Sequence, residues 1–284
     1  MTTSGGDLLA YGVAFYNDNN IDNAEFEVSQ LLAFCFQLER LREQDLQNEV
    51  SADCAAKFKN CLQQRKNGDP LQYIIGEWDF YGRTFVVDRG VLIPRPETEE
   101  LTDRALSFIK SNSCRVVYDV CAGTGCIGLT VALECPWIHV YLFELYDAPL
   151  QCIEKNISRY NLKNVTLVKA DVLHADNILN LPPADVIIAN PPYIPSAELI
   201  DLQAEVLKEP ITALDGGDDG MCFYNVLADR WYAFLQDGGR MFLECAEDQT
   251  DRIQTLFPAV AFEPDDCGGF SDFYGLPRFV IAAK

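Results

Sequence analysis

Arg115-Val-Val-Tyr-Asp-Val-Cys-Ala-Gly-Thr-Gly-Cys126 is a short apolar run that breaks into a glycine turn and then opens a helix. A run this short and this rich in β-branched residues reads as a buried strand rather than a helix segment. Gly123 and Gly125 let the backbone turn tightly and approach a ligand with no Cβ in the way. The same texture recurs downstream in Val140-Tyr-Leu-Phe-Glu144, Val165-Thr-Leu-Val168, Asp185-Val-Ile-Ile-Ala189 and Arg240-Met-Phe-Leu-Glu-Cys245, with helical spacing between most of them. Strand–helix alternation predicts an α/β fold built on a mostly parallel, doubly wound sheet, whose ligands sit beyond the carboxyl ends of the strands. No G-x-x-x-x-G-K-[ST] occurs, which excludes a phosphate-cradling P-loop.

Upstream the texture differs. Phe26, Leu31, Leu32, Phe34, Cys35, Leu38 and Leu41 recur at helical steps, and Ala55, Phe58, Cys61 and Leu62 mark a second helix. Strand signals are lacking up to about Arg65. Asn67-Gly-Asp-Pro70 is a breaker cluster and sets a domain junction. From Tyr73 to Ile93, aromatic and β-branched residues flank Gly82, which predicts a β-hairpin. Pro94-Arg-Pro96 stops pairing, and Glu97 to Lys110 read as a helix with acids in its first turn. The expected organisation is residues 1–70 as a small helical, substrate-docking domain, 71–96 as a hairpin linker and 97–284 as the catalytic domain.

Composition narrows the chemistry. The chain has 284 residues, 49% of them hydrophobic, enough for a large packed core. It carries 22 basic against 43 acidic side chains, a net charge of -21. Such a field repels a phosphate backbone, so no direct nucleic-acid partner is expected. The simple reading of the acidity is a solubility device. Eleven cysteines form no C-x-x-C pair and lie mostly in apolar stretches, as free thiols in a reducing cytosol do. The two histidines, His139 and His174, have no ligand-like spacing to cysteines, so no metal site is expected, and a histidine-based hydrolase is disfavoured. Met1 to Tyr16 has no basic residue and no long apolar segment, and no stretch approaches a membrane span, so a cytoplasmic chain without membrane contact is expected.

Three constellations carry chemistry. The first is the turn itself, from Asp119 through Cys121, Ala122, Gly123, Thr124 and Gly125; alone it is a weak signal that many nucleotide folds share. The second is a pair of acids at strand ends. Glu144 follows the turn by roughly 20 residues, the separation at which an acid reaches a ribose diol. Asp171 after the third strand is an acceptor for an exocyclic adenine amine. Each alone reads more simply as a solvated or capping carboxylate; the three in this order favour an adenosine pocket. The third is Asn190-Pro-Pro-Tyr193, directly after an apolar strand. Two prolines fix the backbone and remove N–H donors, leaving neighbouring carbonyls free. The Asn190 side-chain oxygen and the Pro191 carbonyl supply two acceptors for a planar NH₂, while Pro192 stiffens the loop and Tyr193 offers an aromatic face. The bland alternative is a stiff loop ending a strand.

With these motifs in place the sequence resembles the class I, Rossmann-like methyltransferases of the HemK/PrmC type, the protein-(glutamine-N5) methyltransferases of peptide-chain release factors. The resemblance runs from about Arg65 to Val280. It is carried by Gly68-Asp-Pro-Leu-Gln-Tyr73, Val91-Leu-Ile-Pro-Arg-Pro-Glu-Thr-Glu-Glu-Leu101, Asn190-Pro-Pro-Tyr-Ile-Pro195, Ala213-Leu-Asp-Gly-Gly217 with Gly220, Leu243-Glu244 and Asp272 to Arg278. It implies a small N-terminal helical bundle, a β-hairpin linker and a seven-stranded sheet whose last strand is antiparallel. It also implies S-adenosylmethionine as cofactor, leaving as S-adenosylhomocysteine. The cofactor would be held by Asp119, Cys121, Ala122, Gly123, Thr124 and Gly125, with Glu144 on its ribose, Asp171 at its adenine and Asn190 beside it. The implied substrate is the Gly-Gly-Gln glutamine of class 1 release factors, held catalytically by Asn190, Pro191 and Tyr193, with Pro192 in the binding loop.

Three departures from the family pattern stand out. Cys121 replaces the usual first glycine and is expected to fit at a negative φ; Glu144 replaces the more usual Asp; Cys245-Ala246 replace an apolar residue and Gly after Leu243-Glu244. Two other substrates share part of the signature. A branch that methylates a glutamine of a large-subunit ribosomal protein has a glycine turn like the one here, although Arg95-Pro-Glu-Thr-Glu99 fits the release-factor branch better. Adenine methyltransferases acting on nucleic acid also use Asn-Pro-Pro-Tyr, but the acidity and absence of Lys/Arg clusters oppose them.

Overall fold

The computed structural model describes residues 3–174, 180–263 and 265–284. Met1 and Thr2, the start of the N-terminal stretch read above, lie outside the described residues. The chain forms two compact units, Met1–Gly76 with Gln203–Lys208, and Glu77–Leu202 with Glu209–Lys284.

The first unit is helical, apart from a two-residue ladder of β1 (Thr3–Ser4) against β2 (Glu49–Val50) that the sequence does not signal. Its helices are α1 (Gly5–Asp18), α2 (Ala24–Phe36), α3 (Ala52–Lys66) and α4 (Leu71–Ile75). Ser4 starts α1 with a reciprocal cap: its hydroxyl accepts from the Asp7 N–H and its own N–H donates to the Asp7 carboxylate. A Cβ at Gly12 would lie 2.6 Å from Val28 and 2.8 Å from Phe58, so glycine lets α1 pack tightly on α2 and α3. The apolar run through Leu38 and Leu41 does not stay helical. Gln37 turns left-handed at φ 58 and ends α2 one residue before Leu38.

Residues 71–75, which texture alone groups with the hairpin, instead form α4, entered from Pro70 and closed by Gly76 at φ 83. A five-residue helix is too short for periodicity to separate it from a strand. The hairpin itself is β3 (Glu77–Phe80) and β4 (Arg83–Val86), joined by Tyr81 at φ 52 and Gly82 at φ 69, the handedness a two-residue hairpin turn requires.

The second unit carries the sheet predicted from strand–helix alternation. Its strands are β5 (Val116–Val120), β6 (His139–Glu144), β7 (Val165–Lys169), β8 (Ala184–Ala189), β9 (Leu235–Glu244), β10 (Gly268–Ser271) and β11 (Pro277–Ala283), in the order β10-β11-β9-β8-β5-β6-β7. β11 runs antiparallel to both neighbours and the pairs from β9 to β7 are parallel. Alternate residues feed two apolar layers: Val117, Val186 and Phe242 into one, Tyr118, Ile187 and Met241 into the other. The helices are α5 (Pro96–Ser111), α6 (Cys126–Glu134), α7 (Asp147–Tyr160), α8 (Cys222–Val226) and α9 (Thr250–Gln254). The chain leaves β5 towards β6 and β7, then returns to β8 on its other side. A crevice therefore opens at the carboxyl ends of β5 and β8. Among the described residues no helix is long and apolar enough to cross a membrane, and all eleven cysteines are free.

Candidate active site

The crevice is a cleft of about 1040 Å³, part of it open to solvent, at the carboxyl ends of the strands. Of the residues singled out in the sequence, Cys121, Ala122, Gly123, Thr124, Glu144, Asp171, Asn190 and Pro192 line it together. Asp119, Gly125, Pro191 and Tyr193 are not part of the lining and act from behind it or beside it.

The glycine turn is held from three sides. Asp119, fully buried on β5, accepts from the Gly128 N–H at 2.8 Å and so fixes the first turn of α6. Burial pushes its carboxyl up to about 7, with the Glu144 charge adding to the effect. Glu144, at the end of β6, accepts from Gly123 N–H at 3.0 Å, Leu145 N–H at 2.8 Å and Tyr146 N–H at 3.1 Å. Burial raises its carboxyl too, against these three bonds. Asn156 of α7 closes the third side: its amide donates to the Thr124 carbonyl at 3.0 Å and pairs both ways with Val86 of β4. Gly123 and Gly125 sit at φ 57 and 77. Cys121 does not take the expected negative φ. It sits at φ 65, because the chain must turn left-handed as it leaves β5. A Cβ at Gly123 would meet nothing within 4 Å, so the backbone there is bare towards the cleft.

Asp171 follows β7. Its carboxylate accepts from Leu173 N–H at 2.9 Å and lies 2.8 Å from the His174 ring, so it is already engaged locally. His174, which no motif singled out, thus stands beside a candidate site residue.

The Asn190 loop is the most constrained part of the site. Both hydrogens of the Asn190 amide are taken, by Thr98 Oγ1 at 3.1 Å and Glu244 Oε1 at 2.9 Å. Asn190 Oδ1 is left buried with no partner. No hydrogen bond reaches the Pro191 carbonyl among the described residues. The loop that follows is stapled to 214–217: Ile194 N–H donates to Leu214, Gly216 N–H to Ile194, and Ser196 N–H to Gly217. A Cβ at Gly216 would lie 2.8 Å from the Tyr193 backbone, which accounts for glycine in that segment. Gln249 donates to the Tyr193 carbonyl at 2.9 Å, and burial pushes the Tyr193 phenol up to about 12. Thr98 and Glu244 were not picked out as site residues. The sequence shows only that they lie within the quoted motifs; nothing in their spacing says that they meet at Asn190.

The fold and the cleft together define an S-adenosylmethionine-dependent methyltransferase with a seven-stranded Rossmann-like sheet. A solved structure with this architecture is the T. thermophilus 16S rRNA N2 G1207 methyltransferase in complex with AdoMet and guanosine; at 19% identity and a TM-score of 0.51, covering 73% of this chain and 49% of that one, it shows the shared fold. Residues 7–76 match the PrmC N-terminal domain and residues 98–218 the methyltransferase small domain. The chain belongs to the release factor glutamine methyltransferase family. It is 31% identical over 283 residues to the release factor glutamine methyltransferase of Clostridium botulinum, spanning 98% of each chain. It is 34% identical over 267 residues to that of Moorella thermoacetica, spanning 93% of each.

Proposed function

We propose that this chain methylates the side-chain amide nitrogen of the Gly-Gly-Gln glutamine in class 1 peptide-chain release factors, in the cytoplasm and without direct contact to nucleic acid. The observation that carries this reading is the orphaned Asn190 Oδ1 beside the unbonded Pro191 carbonyl. A buried acceptor without a donor costs about 1–3 kcal/mol, which an incoming NH₂ group recovers.

The residues present fit S-adenosylmethionine, which supplies an electrophilic methyl group when bound. Bare backbone at Gly123, the Glu144 carboxylate and Asp171 would hold it, with Asp119, Cys121, Ala122, Thr124 and Gly125 shaping and supporting the turn. The protein's own task is the amide. Its nitrogen is a weak nucleophile because the lone pair is shared with the carbonyl. Two acceptors in the NH₂ plane, Asn190 Oδ1 and the Pro191 carbonyl, orient the nitrogen and favour the charge that develops on it. Pro192 keeps the loop rigid, and Tyr193 packs beside the glutamine side chain. Neither histidine serves as a base. No histidine lies in the motifs that form the clamp, and His139 is paired with Thr166 at 2.8 Å; the proton is read as leaving to solvent.

The test is transfer of labelled methyl to a purified release factor, to its Gly-Gly-Gln Gln→Ala variant, to large-subunit ribosomal proteins and to nucleic acid. Label on the wild-type factor alone is the expected result. Label on nucleic acid or on a ribosomal protein instead would overturn the substrate.

A further inference from the structure

A primary amide is nearly symmetric in shape, and turning it over exchanges an acceptor for a donor. What Asn190 offers a ligand is therefore set by its neighbours rather than by its own identity. Those neighbours sit on two rigid elements: the Glu244 carboxylate, which when ionised can only accept, and the Thr98 hydroxyl, which can accept or donate. Thr98 lies in the first turn of α5, 3% exposed, and Glu244 closes β9 at 3% exposed, where its strand pairs with Phe279. The Glu244 backbone is pinned as well, since its carbonyl accepts from the Tyr224 hydroxyl at 2.7 Å. With the amide reversed, Asn190 Oδ1 would face the buried Glu244 carboxylate at hydrogen-bond distance, acceptor against acceptor.

We propose that Glu244 is a specificity-determining positioning residue, which holds the Asn190 amide so that its oxygen, not its NH₂, is the group left free. The clamp then admits a side chain ending in an NH₂ donor and rejects a carboxylate of the same shape. In chemical terms, it separates glutamine from glutamate. This rests on the reading of Asn190 as the amide clamp. The second carboxylate oxygen of Glu244 is itself without a hydrogen-bond partner, so nothing there would fix which way round a glutamine at 244 sits.

The test is run with the full chain at about pH 8.5, above the value of about 7 to which burial pushes the Glu244 carboxyl, because a protonated Glu244 could donate to a reversed amide. Two quantities are read: kcat/KM for methyl transfer to a release factor, and inhibition by the Gln→Glu Gly-Gly-Gln variant of that factor. The wild type is expected to bind the Gln→Glu factor at least about 10-fold more weakly than the Gln form. Thr98→Val leaves the Glu244 carboxylate in place and is expected to keep the wild-type ratio, whereas Glu244→Met frees the amide to reverse. Turnover on glutamine is expected to fall roughly 10–100-fold while the Gln→Glu factor binds more tightly, so the ratio shrinks towards unity. Glu244→Gln keeps the shape but replaces a fixed acceptor by an amide that can itself turn over, so its ratio is also expected to shrink. The Pro191 carbonyl is the same in all of these, so a changed ratio reports the orientation of Asn190. Glu244 variants that lose turnover but keep the ratio would reduce Glu244 to a structural support and overturn the proposal. If Glu244→Met does not fold, as seen in its thermal melt, Glu244→Gln still decides the matter. A wild type that leaves the release factor unmethylated would instead overturn the substrate reading, before any variant is made.

Discussion

Cys121 holds a backbone conformation that its side chain opposes. At φ 65 a non-glycine residue costs about 1 kcal/mol or more, while replacing it by glycine loosens the unfolded chain by somewhat less. Cys121→Gly should therefore stabilise the protein by about 0.5–1 kcal/mol; urea denaturation with unchanged or lower stability would show that the thiol packs well enough to offset the strain. The expected negative φ failed for a physical reason: the conformation is imposed by the exit from β5, and no residue type in the stretch announces it. Asn190 to Tyr193 was legible because each residue limits the backbone or bears the needed group by itself. Thr98 and Glu244 were not, because their role exists only once α5 and β9 bring them to the same amide. Asn156 is a third case, an ordinary helical Asn until the fold sets it against β4 and the glycine turn.

Among the elements, strands β5 to β9 and the helix at α5 were readable from texture and length, whereas β10 and β11 were expected only through the resemblance to a seven-stranded sheet. α4 was not readable, being shorter than the window in which periodicity speaks. The helical unit also holds a feature that sequence order hides. Arg65 at the end of α3 is buried against Glu27 of α2, with its Nε 2.6 Å from Oε2 and its Nη2 3.1 Å from Oε1. Its Nη2 also lies 2.5 Å from Glu205, in the short 203–208 segment that belongs to the same unit. Tyr16 of α1 donates to Glu27 at 3.0 Å, so one guanidinium organises three helices and a distant segment. Removing it leaves the Glu27 charge buried without a counter-ion, a loss of about 3–5 kcal/mol. Arg65→Met should lower stability by that order in urea titration, and Glu27→Gln added to it should recover more than half. An additive double variant would mean that the pair is not coupled.

Across the whole molecule, the balance of charge and burial sets how stability follows pH. Two fully buried carboxyls, Asp119 and Glu244, are pushed up to about 7 by loss of solvent, from ordinary values of 3.8 and 4.5, and Glu144 is raised in the same sense. Folding therefore favours their neutral forms. Their contribution is fully present below the unfolded values, near pH 4, and is lost as pH rises through about 7, because the folded chain binds more protons than the unfolded chain over that window. The net charge of -21 acts the same way, since each proton lost adds to self-repulsion. Glu134 and Asp266, lowered mainly by hydrogen bonds from Lys110 and from Arg240, have the opposite sign, but their contribution is lost only as pH falls below the usual carboxylate range. Between about pH 7.5 and about 5.5, Asp119 and Glu244 should each add about 2 kcal/mol. The midpoint of thermal unfolding should rise by roughly 5–10 °C on that acidification. Asp119→Asn keeps an oxygen for the Gly128 N–H and removes its titration, so its melting curve should follow pH with a clearly shallower slope than the wild type, the remainder coming from Glu244 and Glu144. A variant whose slope matches the wild type would show that Asp119 stays ionised in the folded chain, and that the buried turn behind the cofactor cleft carries a full charge.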